Sequence, residues 1–427
     1  MSLTKQQKIV TLGAWLGWSL DGYDLVLMLF VIPVISNLFF PSINETYALL
    51  ATFGAYVVTL IMRPFGGAFF GNFGDKIGRK KIMMITILGF SIGTFATGLL
   101  PTWQMVGIMA PVLLMSLRFM QGFFAGGEWG SGAVLTMETV PKKSRGLYSG
   151  FLQSGFPFGF IIAAIVFYFV TSYLSEEEFA DFGWRVLFFT GIIPGSAALL
   201  VRLKIENSKA WIEKSIQKKI AKIPLRQIWT DKEQRKRFLF AIIIMTGLMY
   251  SYYTSLGFFP TLFQDFIEVG KNETAKLMIL GTATSFLGTI FVGYLSQIFG
   301  RQKAMAIFAV SAVIISIPAV YGLYHAPFYE RYFYVIVIVF VTTTGFGAIP
   351  AFLSERFPTE IRNSASGFAY NGGLFFGAMA PIIAINLLSK TTDYAPFLLG
   401  FNIVFGSIII LIGTRINPET KDVDIEQ

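Results

Sequence analysis

Five ionisable residues interrupt stretches of the 427-residue chain that are otherwise apolar. They are Asp21 and Asp24 in Asp-Gly-Tyr-Asp, Arg63 in Arg-Pro-Phe-Gly, and Arg118 and Glu128 at the two ends of Arg-Phe-Met-Gln-Gly-Phe-Phe-Ala-Gly-Gly-Glu. A charge at the centre of a bilayer costs about 2.5–3.5 kcal/mol or more, so each of the five needs a task or a partner. Acids and guanidiniums in one column can relay protons. A carboxyl that takes a proton also releases its arginine, which can then grip a carboxylate or phosphate through two parallel hydrogen bonds. Asp21 and Asp24 share a helix face, and Arg118, Gln121, Ala125 and Glu128 form one stripe. A rise of about 1.5 Å per residue puts Glu128 about 15 Å, Arg63 about 18 Å, Asp21 about 20 Å, Asp24 about 24 Å and Arg118 about 30 Å from the basic ends of their helices. Arg118 and Glu128 are therefore too far apart to pair. The expected partners are Asp24 with Arg118, and Asp21 or Glu128 with Arg63. Counted over these five residues, three acids and two arginines carry a net −1. One proton neutralises that set, which favours an anion entering together with protons.

The elements that hold these residues follow from composition. Charged residues make up 14% of the chain and hydrophobic residues 54%, with a mean hydropathy of +0.63, against roughly 25% charged in soluble proteins. That excludes a soluble enzyme and, despite a net charge of +9, a nucleic-acid binder. With no cysteine and the single histidine His325, no metal cluster or thiolate chemistry is expected. Cutting at charge clusters gives twelve stretches long enough to cross a bilayer: 9–39, 47–73, 82–100, 104–137, 145–173, 184–203, 238–264, 275–298, 304–323, 332–354, 364–388 and 394–414. Lysines and arginines concentrate in alternate loops, at Lys76–Lys81, Lys142–Arg145, Arg301–Lys303 and Arg356–Arg362. Those loops and both termini are expected on the cytoplasmic side of the cell membrane. Residues 204–237 carry eleven Lys or Arg against four acids and read as a cytoplasmic linker resting on anionic lipid headgroups. It divides the chain into six-helix units at 1–203 and 238–427.

The two units repeat one another. Gly71-Asn-Phe-Gly-Asp-Lys-Ile-Gly-Arg-Lys-Lys81 aligns with Gly293-Tyr-Leu-Ser-Gln-Ile-Phe-Gly-Arg-Gln-Lys303 at an offset of 222, and Glu138-Thr-Val-Pro-Lys-Lys-Ser-Arg145 with Glu355-Arg-Phe-Pro-Thr-Glu-Ile-Arg362 at 217. Nearly equal offsets in the same order indicate parallel repeats, as in transporters that rock one half against the other around a midplane site. In this loop Asp75 is placed to meet a helix N-terminus and Arg79 to pair with Glu138. With Arg145, Glu355 and Arg362 they form an expected conformational latch on the cytoplasmic side. Gln297 stands where Asp75 stands in the first copy, so the second loop should lack one helix-end charge pairing.

These motifs resemble those of the major facilitator superfamily, and the likeness covers essentially the whole chain. The Gly71–Lys81 loop is similar to that superfamily's signature loop, and ERFPTEIR and ETVPKKSR to motifs of its sugar, phosphate and organic-acid porters. The segments around Asp21, Asp24, Arg63 and Arg118–Glu128 resemble the metabolite:proton and sialate:proton symporters. The resemblance implies an all-α membrane fold of two six-helix bundles and proton-binding roles for Asp21 or Asp24 and for Glu128, with either aspartate possible. Phosphate porters tend to carry further acids in the second half, which this chain lacks, so an organic acid is favoured over phosphate. Substrate contacts are expected from Arg118 and Arg63, and from Gln121, Gln153, Tyr253, Tyr370 and Asn371. Gln153 lies at a position like the sugar-binding Gln of related sugar porters. The function expected is proton-coupled import of a small monocarboxylate, sugar acid or aromatic acid by a monomer in lipid, with no cofactor. The alternatives are a sugar or phosphate porter and a proton-driven exporter of drugs or metabolites. A transporter-like sensor or an embedded enzyme finds less support, because no signalling domain, nucleophile–base pair or phosphate-cradling loop is present.

Overall fold

A computed structural model describes residues 3–41, 44–206, 212–213, 224–388, 394–421 and 423–425, all in helices, turns and short connections. Twelve helices are long and apolar enough to cross a membrane. Spans 1 to 6 are Lys5–Phe39, Tyr47–Ile77, Arg79–Gly98, Met109–Thr139, Lys142–Tyr173 and Glu176–Arg202. Spans 7 to 12 are Lys232–Phe266, Lys271–Phe299, Arg301–His325, Phe328–Arg356, Arg362–Leu388 and Ala395–Ile416. Each coincides with a stretch expected from hydropathy, with two instructive differences. Span 4 starts at Met109 rather than 104, because Gly107 turns the chain with φ at +57°. Span 6 starts at Glu176 rather than 184, because the acidic run is its first turn. Ser175 and Glu178 cap each other there, and acids near a helix N-terminus oppose the partial positive charge of the free N–H groups. Of the linker expected at 204–237, residues 207–211 and 214–223 lie outside the described residues. Pro224–Thr230 is helical, and the Asp231 carboxylate accepts from Glu233 N and Gln234 N to cap span 7.

Spans 1–6 and 7–12 meet chiefly along two seams, span 2 against span 11 and span 5 against span 8. Under the sequence repeat span 2 corresponds to span 8 and span 5 to span 11, so the two seams are copies of one contact. Close approach is set by glycine: a Cβ on Gly293 would lie 2.5 Å from Gly150 Cα. Small residues that let backbones touch are what holds helices together where lipid removes any hydrophobic incentive. The expected kinks fall near interruptions of the helices. Ser154 breaks span 5 ahead of Pro157, Thr344–Ala348 form a tighter turn ahead of Pro350, and Ala378–Met379 break span 11 ahead of Pro381.

The repeat is also visible at the basic side. Both loop copies turn through a glycine in the left-handed region, Gly78 at φ 99° and Gly300 at φ 103°. Arg79 lies 3.1 Å from Glu138 and Arg301 2.9 Å from Glu355, the same pairing in each half. Between the halves, Arg362 reaches Glu138 at 2.8 Å and Arg145 reaches Glu355 at 3.5 Å. Asp75 accepts hydrogen bonds from Ser364 N and Ser364 Oγ at the start of span 11. In the second copy Gln297 Oε1 accepts from Gly146 N at 2.7 Å. The contact with the facing helix start is kept while its charge is absent. The side chains of all these acids and arginines are buried, so the basic side is shut.

The chain has no cysteine, which makes a single introduced thiol a clean reporter of this closure. Ala351 is fully buried beside the latch. In an Ala351→Cys background, adding Glu138→Gln and Glu355→Gln is expected to raise the alkylation rate by about tenfold or more, equivalent to about 1.4 kcal/mol of destabilised closure. Unchanged alkylation would mean that the ion pairs do not hold the halves together.

Candidate functional site

Between the halves lies a narrow cavity lined by residues of both. Spans 1, 2 and 5 contribute Trp18, Arg63, Gln153 and Phe156, and spans 7, 10 and 11 contribute Tyr252, Tyr253, Phe346 and Tyr370. Arg63 donates through both terminal nitrogens to both carboxylate oxygens of Asp21, with Nη1–Oδ2 at 2.8 Å. It is the guanidinium on the cavity wall. Three further donors there are buried and have no hydrogen-bond partner among the described residues: Arg63 Nε, Trp18 Nε1 and Tyr252 Oη. Buried donors are normally paired, so this wall offers three donors that an acceptor in the cavity can use.

The other charges lie off the wall. Asp24 and Arg118 approach to 3.6 Å. Asp24 Oδ1 accepts from Gln121 Nε2 at 3.1 Å, while Oδ2 has no hydrogen-bond partner among the described residues. Arg118 donates to Thr97 Oγ1 and lies 5.4 Å from the Phe188 ring centre. Of the residues expected to contact substrate, Arg63, Gln153, Tyr253 and Tyr370 line the cavity. Arg118, Gln121 and Asn371 do not: each is buried in a packed interface, Gln121 Nε2 donating to Asp24 Oδ1 and Thr94 Oγ1. Asn371 Nδ2 donates to Gly126 O across the interface and to Gly367 O within its own helix.

Glu128 has a partner that sequence reasoning missed. Arg202, in the last turn of span 6, donates to both oxygens of Glu128, with Nη1–Oε2 at 2.8 Å. It also donates to Gly13 O and Met83 O, and Thr86 Oγ1 donates to Glu128 Oε2 at 2.9 Å. Spans 1, 3, 4 and 6 are thereby tied together, and a Cβ at Gly17 would overlap both charged groups. The charge count read from five residues is thus incomplete. With Arg202 the buried set is three acids and three arginines, each in its own pair, and the net charge is zero. Arg202 carried no distinguishing signal, since a lone arginine at the basic end of a span resembles one that only sets topology.

Between Glu128 and the cavity stands an aromatic floor. Trp129 stacks on Tyr370 at 3.7 Å, and Gln153 bridges them, accepting from Trp129 Nε1 and donating to Tyr370 Oη, both at 3.1 Å. A second, much smaller void borders Glu128 and shares Trp18 with the main cavity.

Two helical bundles related by a repeat, closed on one side around a central cavity, define a secondary transporter. The chain belongs to the Major Facilitator Superfamily, whose family description matches residues 10–381. It is similar to the inner membrane metabolite transport protein YhjE of Escherichia coli (strain K12), 31% identical over 96% of this chain and 94% of that protein. It is also similar to the glycine betaine/proline/ectoine/pipecolic acid transporter OusA of Dickeya dadantii (strain 3937), at 29% over 91% of this chain and 79% of that one. Among solved structures it resembles the proton:xylose symporter XylE bound to 6-bromo-6-deoxy-D-glucose, with a TM-score of 0.79 at 19% identity, covering 99% of this chain and 98% of that one. The protein is a multi-pass transporter of the cell membrane.

The Glu128–Arg202 pair makes a stability prediction. Arg202→Met strands a carboxylate in the core, and breaking a buried pair in this way costs about 3–5 kcal/mol. Thermal unfolding in detergent should show a clear loss for Arg202→Met and recovery of most of it in the Glu128→Gln/Arg202→Met double variant. A single variant as stable as the parent would contradict the pairing.

Proposed function

We propose that this transporter imports a small carboxylate-bearing solute together with protons, and that the coupling step is an exchange of partners at Arg63. The observation that carries this reading is that Arg63, the one guanidinium on the cavity wall among the described residues, is held by a buried acid, Asp21. While Asp21 is ionised it occupies Arg63. A proton on Asp21 releases the guanidinium, and a carboxylate can then take the same two hydrogen bonds. Trp18 Nε1 and Tyr252 Oη supply further donors. The charge balance supports the same exchange: one proton adds +1 to a neutral buried set, and one carboxylate returns it to zero. Asp24, whose Oδ2 meets Arg118 Nη1 as an ion pair at 3.6 Å with no hydrogen bond among the described residues, and Glu128, beside its own small void, serve as further proton sites. The basic side faces the cytoplasm, as its loop charges imply. The latch then opens that side after loading, and a single chain is the functional unit.

A second reading has a specific basis. The cavity wall is rich in aromatic faces (Trp18, Phe156, Tyr252, Tyr253 and Tyr370), which attract a cationic group by about 0.5–2 kcal/mol. A zwitterion whose carboxylate meets Arg63 would use them, and the similar transporters OusA of Dickeya dadantii and the proline/betaine transporter of Escherichia coli are named for such solutes. The two readings differ electrically. A monocarboxylate with one proton moves no net charge, whereas a zwitterion with one proton moves +1.

Uptake into proteoliposomes of monocarboxylates, sugar acids, aromatic acids, glycine betaine, proline, neutral sugars and phosphate tests both. Uptake should rise as external pH falls, because the protonated acid is the loading form. Asp21→Asn should abolish uphill accumulation and flatten the pH profile while leaving exchange. Arg63→Lys should raise KM about tenfold or more, since bonds to a charged group contribute about 1.5–3 kcal/mol. Dependence of uptake on membrane potential separates zwitterion from monocarboxylate. Transport of neutral sugars without any carboxylate, or full accumulation by Asp21→Asn, would overturn the proposal.

A further inference from the structure

On the basic side, away from the central cavity, the bases of spans 7, 10 and 12 and the segment after span 12 surround a second pocket with about 880 Å³ of empty space. Its walls bring together Lys236, Arg237 and Arg356 with the apolar side chains of Phe240, Ile416 and Val423. Arg356 is 95% buried, judged from its 5% exposure. Its Nε donates to Arg237 O at 2.9 Å, and Arg237 Nη1 donates back to Arg356 O at 3.4 Å. Each arginine is thus pinned by the other's backbone, which holds two like charges side by side. Arg356 Nη1 is buried with no hydrogen-bond partner among the described residues. A buried guanidinium without an anion is the costliest kind of unsatisfied group.

Three acids also face this pocket, and each is engaged elsewhere. Glu355 is held by Arg301, Arg145 and Thr420. Glu419 accepts from the backbone N–H groups of Arg301, Gln302, Thr420 and Lys421. Glu233 is paired with Arg237 Nε at 3.0 Å. Among the described residues none of these acids hydrogen-bonds to Arg356; Glu233 acts on it only through space, and the Arg237 cation beside it outweighs that, so the local balance at Arg356 stays positive. Nothing about the latch or the central cavity requires Arg356, which the sequence suggests only as a topology-setting cation.

We propose that this pocket is a binding site for a phosphate-type oxyanion, gripped by Arg356 with Lys236 and Arg237 at its rim. A tetrahedral oxyanion presents several acceptors to converging cationic donors, which completes the bonding of Arg356. The apolar wall suits the glycerol and first acyl carbons of an anionic lipid, while the same charges serve a free phosphate. Because Glu355 belongs both to this pocket and to the closed latch, and Thr420 of the pocket donates to it, an occupant stabilises the closed basic side.

The test uses the full-length protein and two sources of phosphate. In one arm, nanodiscs of zwitterionic lipid receive increasing phosphatidylglycerol, and bound lipid is counted by native mass spectrometry after release into detergent. In the other, inorganic phosphate is titrated at constant ionic strength in detergent, with thermal unfolding as readout. We expect one saturable site in at least one arm, weakened about tenfold or more by Arg356→Gln, since a hydrogen bond to a charged group is worth that much. Lys236→Gln, at the exposed rim, should weaken it by only a few-fold. Saturation with lipid alone identifies a lipid site, and saturation with free phosphate alone identifies a soluble-anion site. Absence of saturable binding to the unaltered protein in both arms overturns the proposal, even if Arg356→Gln fails to fold. Equal affinity of Arg356→Gln and the parent overturns it as well.

Discussion

A guanidinium inside a membrane protein cannot be left without an anion, and this constraint organises the molecule. Among the described residues every ionised group near the middle of the first six spans has one opposite partner: Asp21 with Arg63, Asp24 with Arg118, and Glu128 with Arg202. The pairs do more than cancel charge. Asp21–Arg63 joins spans 1 and 2, Asp24–Arg118 joins spans 1 and 4, and Glu128–Arg202 joins spans 4 and 6, so the half that carries the charges is cross-braced through its interior. Of the three, Asp21–Arg63 touches the cavity, and there the constraint becomes useful. In the proposed cycle an arginine that must have an anion takes a carboxylate from solution when its own acid is neutralised, and the penalty for leaving it bare would enforce the coupling.

The two ends of the protein answer to related demands. At the basic side the ion pairs recur twice, within each half and across the seam, so separating the halves breaks Arg362–Glu138 and Arg145–Glu355 together. Asp75 and Gln297 show how the repeat has diverged. Both reach the start of the helix opposite, one as a carboxylate and one as an amide. The aromatic floor of Trp129, Gln153 and Tyr370 lies deeper and also spans the seam, linking spans 4 and 5 to span 11. The cavity is therefore separated from the basic side by two layers, and both must part for cargo to leave in that direction.

Much of this was legible in the sequence because lipid makes charge conspicuous. Twelve apolar stretches, the repeat offset and the buried acids could all be read from residue types and spacing. The distances along each helix were enough to match Asp24 with Arg118 and to limit Arg63 to Asp21 or Glu128. What spacing did not convey is rotation about the helix axis and the reach of a side chain at a helix end. Arg118, Gln121 and Asn371 point into packed interfaces rather than the cavity, and Arg202 reaches from the end of span 6 to Glu128. Trp18, one turn before Asp21, lines the cavity and has no partner for its Nε1 among the described residues, yet in sequence it is one of seven tryptophans in an aromatic-rich chain. Turn residues were misjudged where local chemistry outweighed hydropathy, as at Gly107 and at the acidic start of span 6.

The central claim is that cargo and Asp21 compete for Arg63, with a proton deciding between them. Proton uptake on cargo binding measures this directly, by adding a transported carboxylate to purified protein in weakly buffered detergent with a pH indicator. The account predicts that the parent protein takes up one proton per carboxylate bound and that Asp21→Asn binds cargo with no proton uptake. Binding to the parent without proton uptake, or equal uptake by Asp21→Asn, would contradict it.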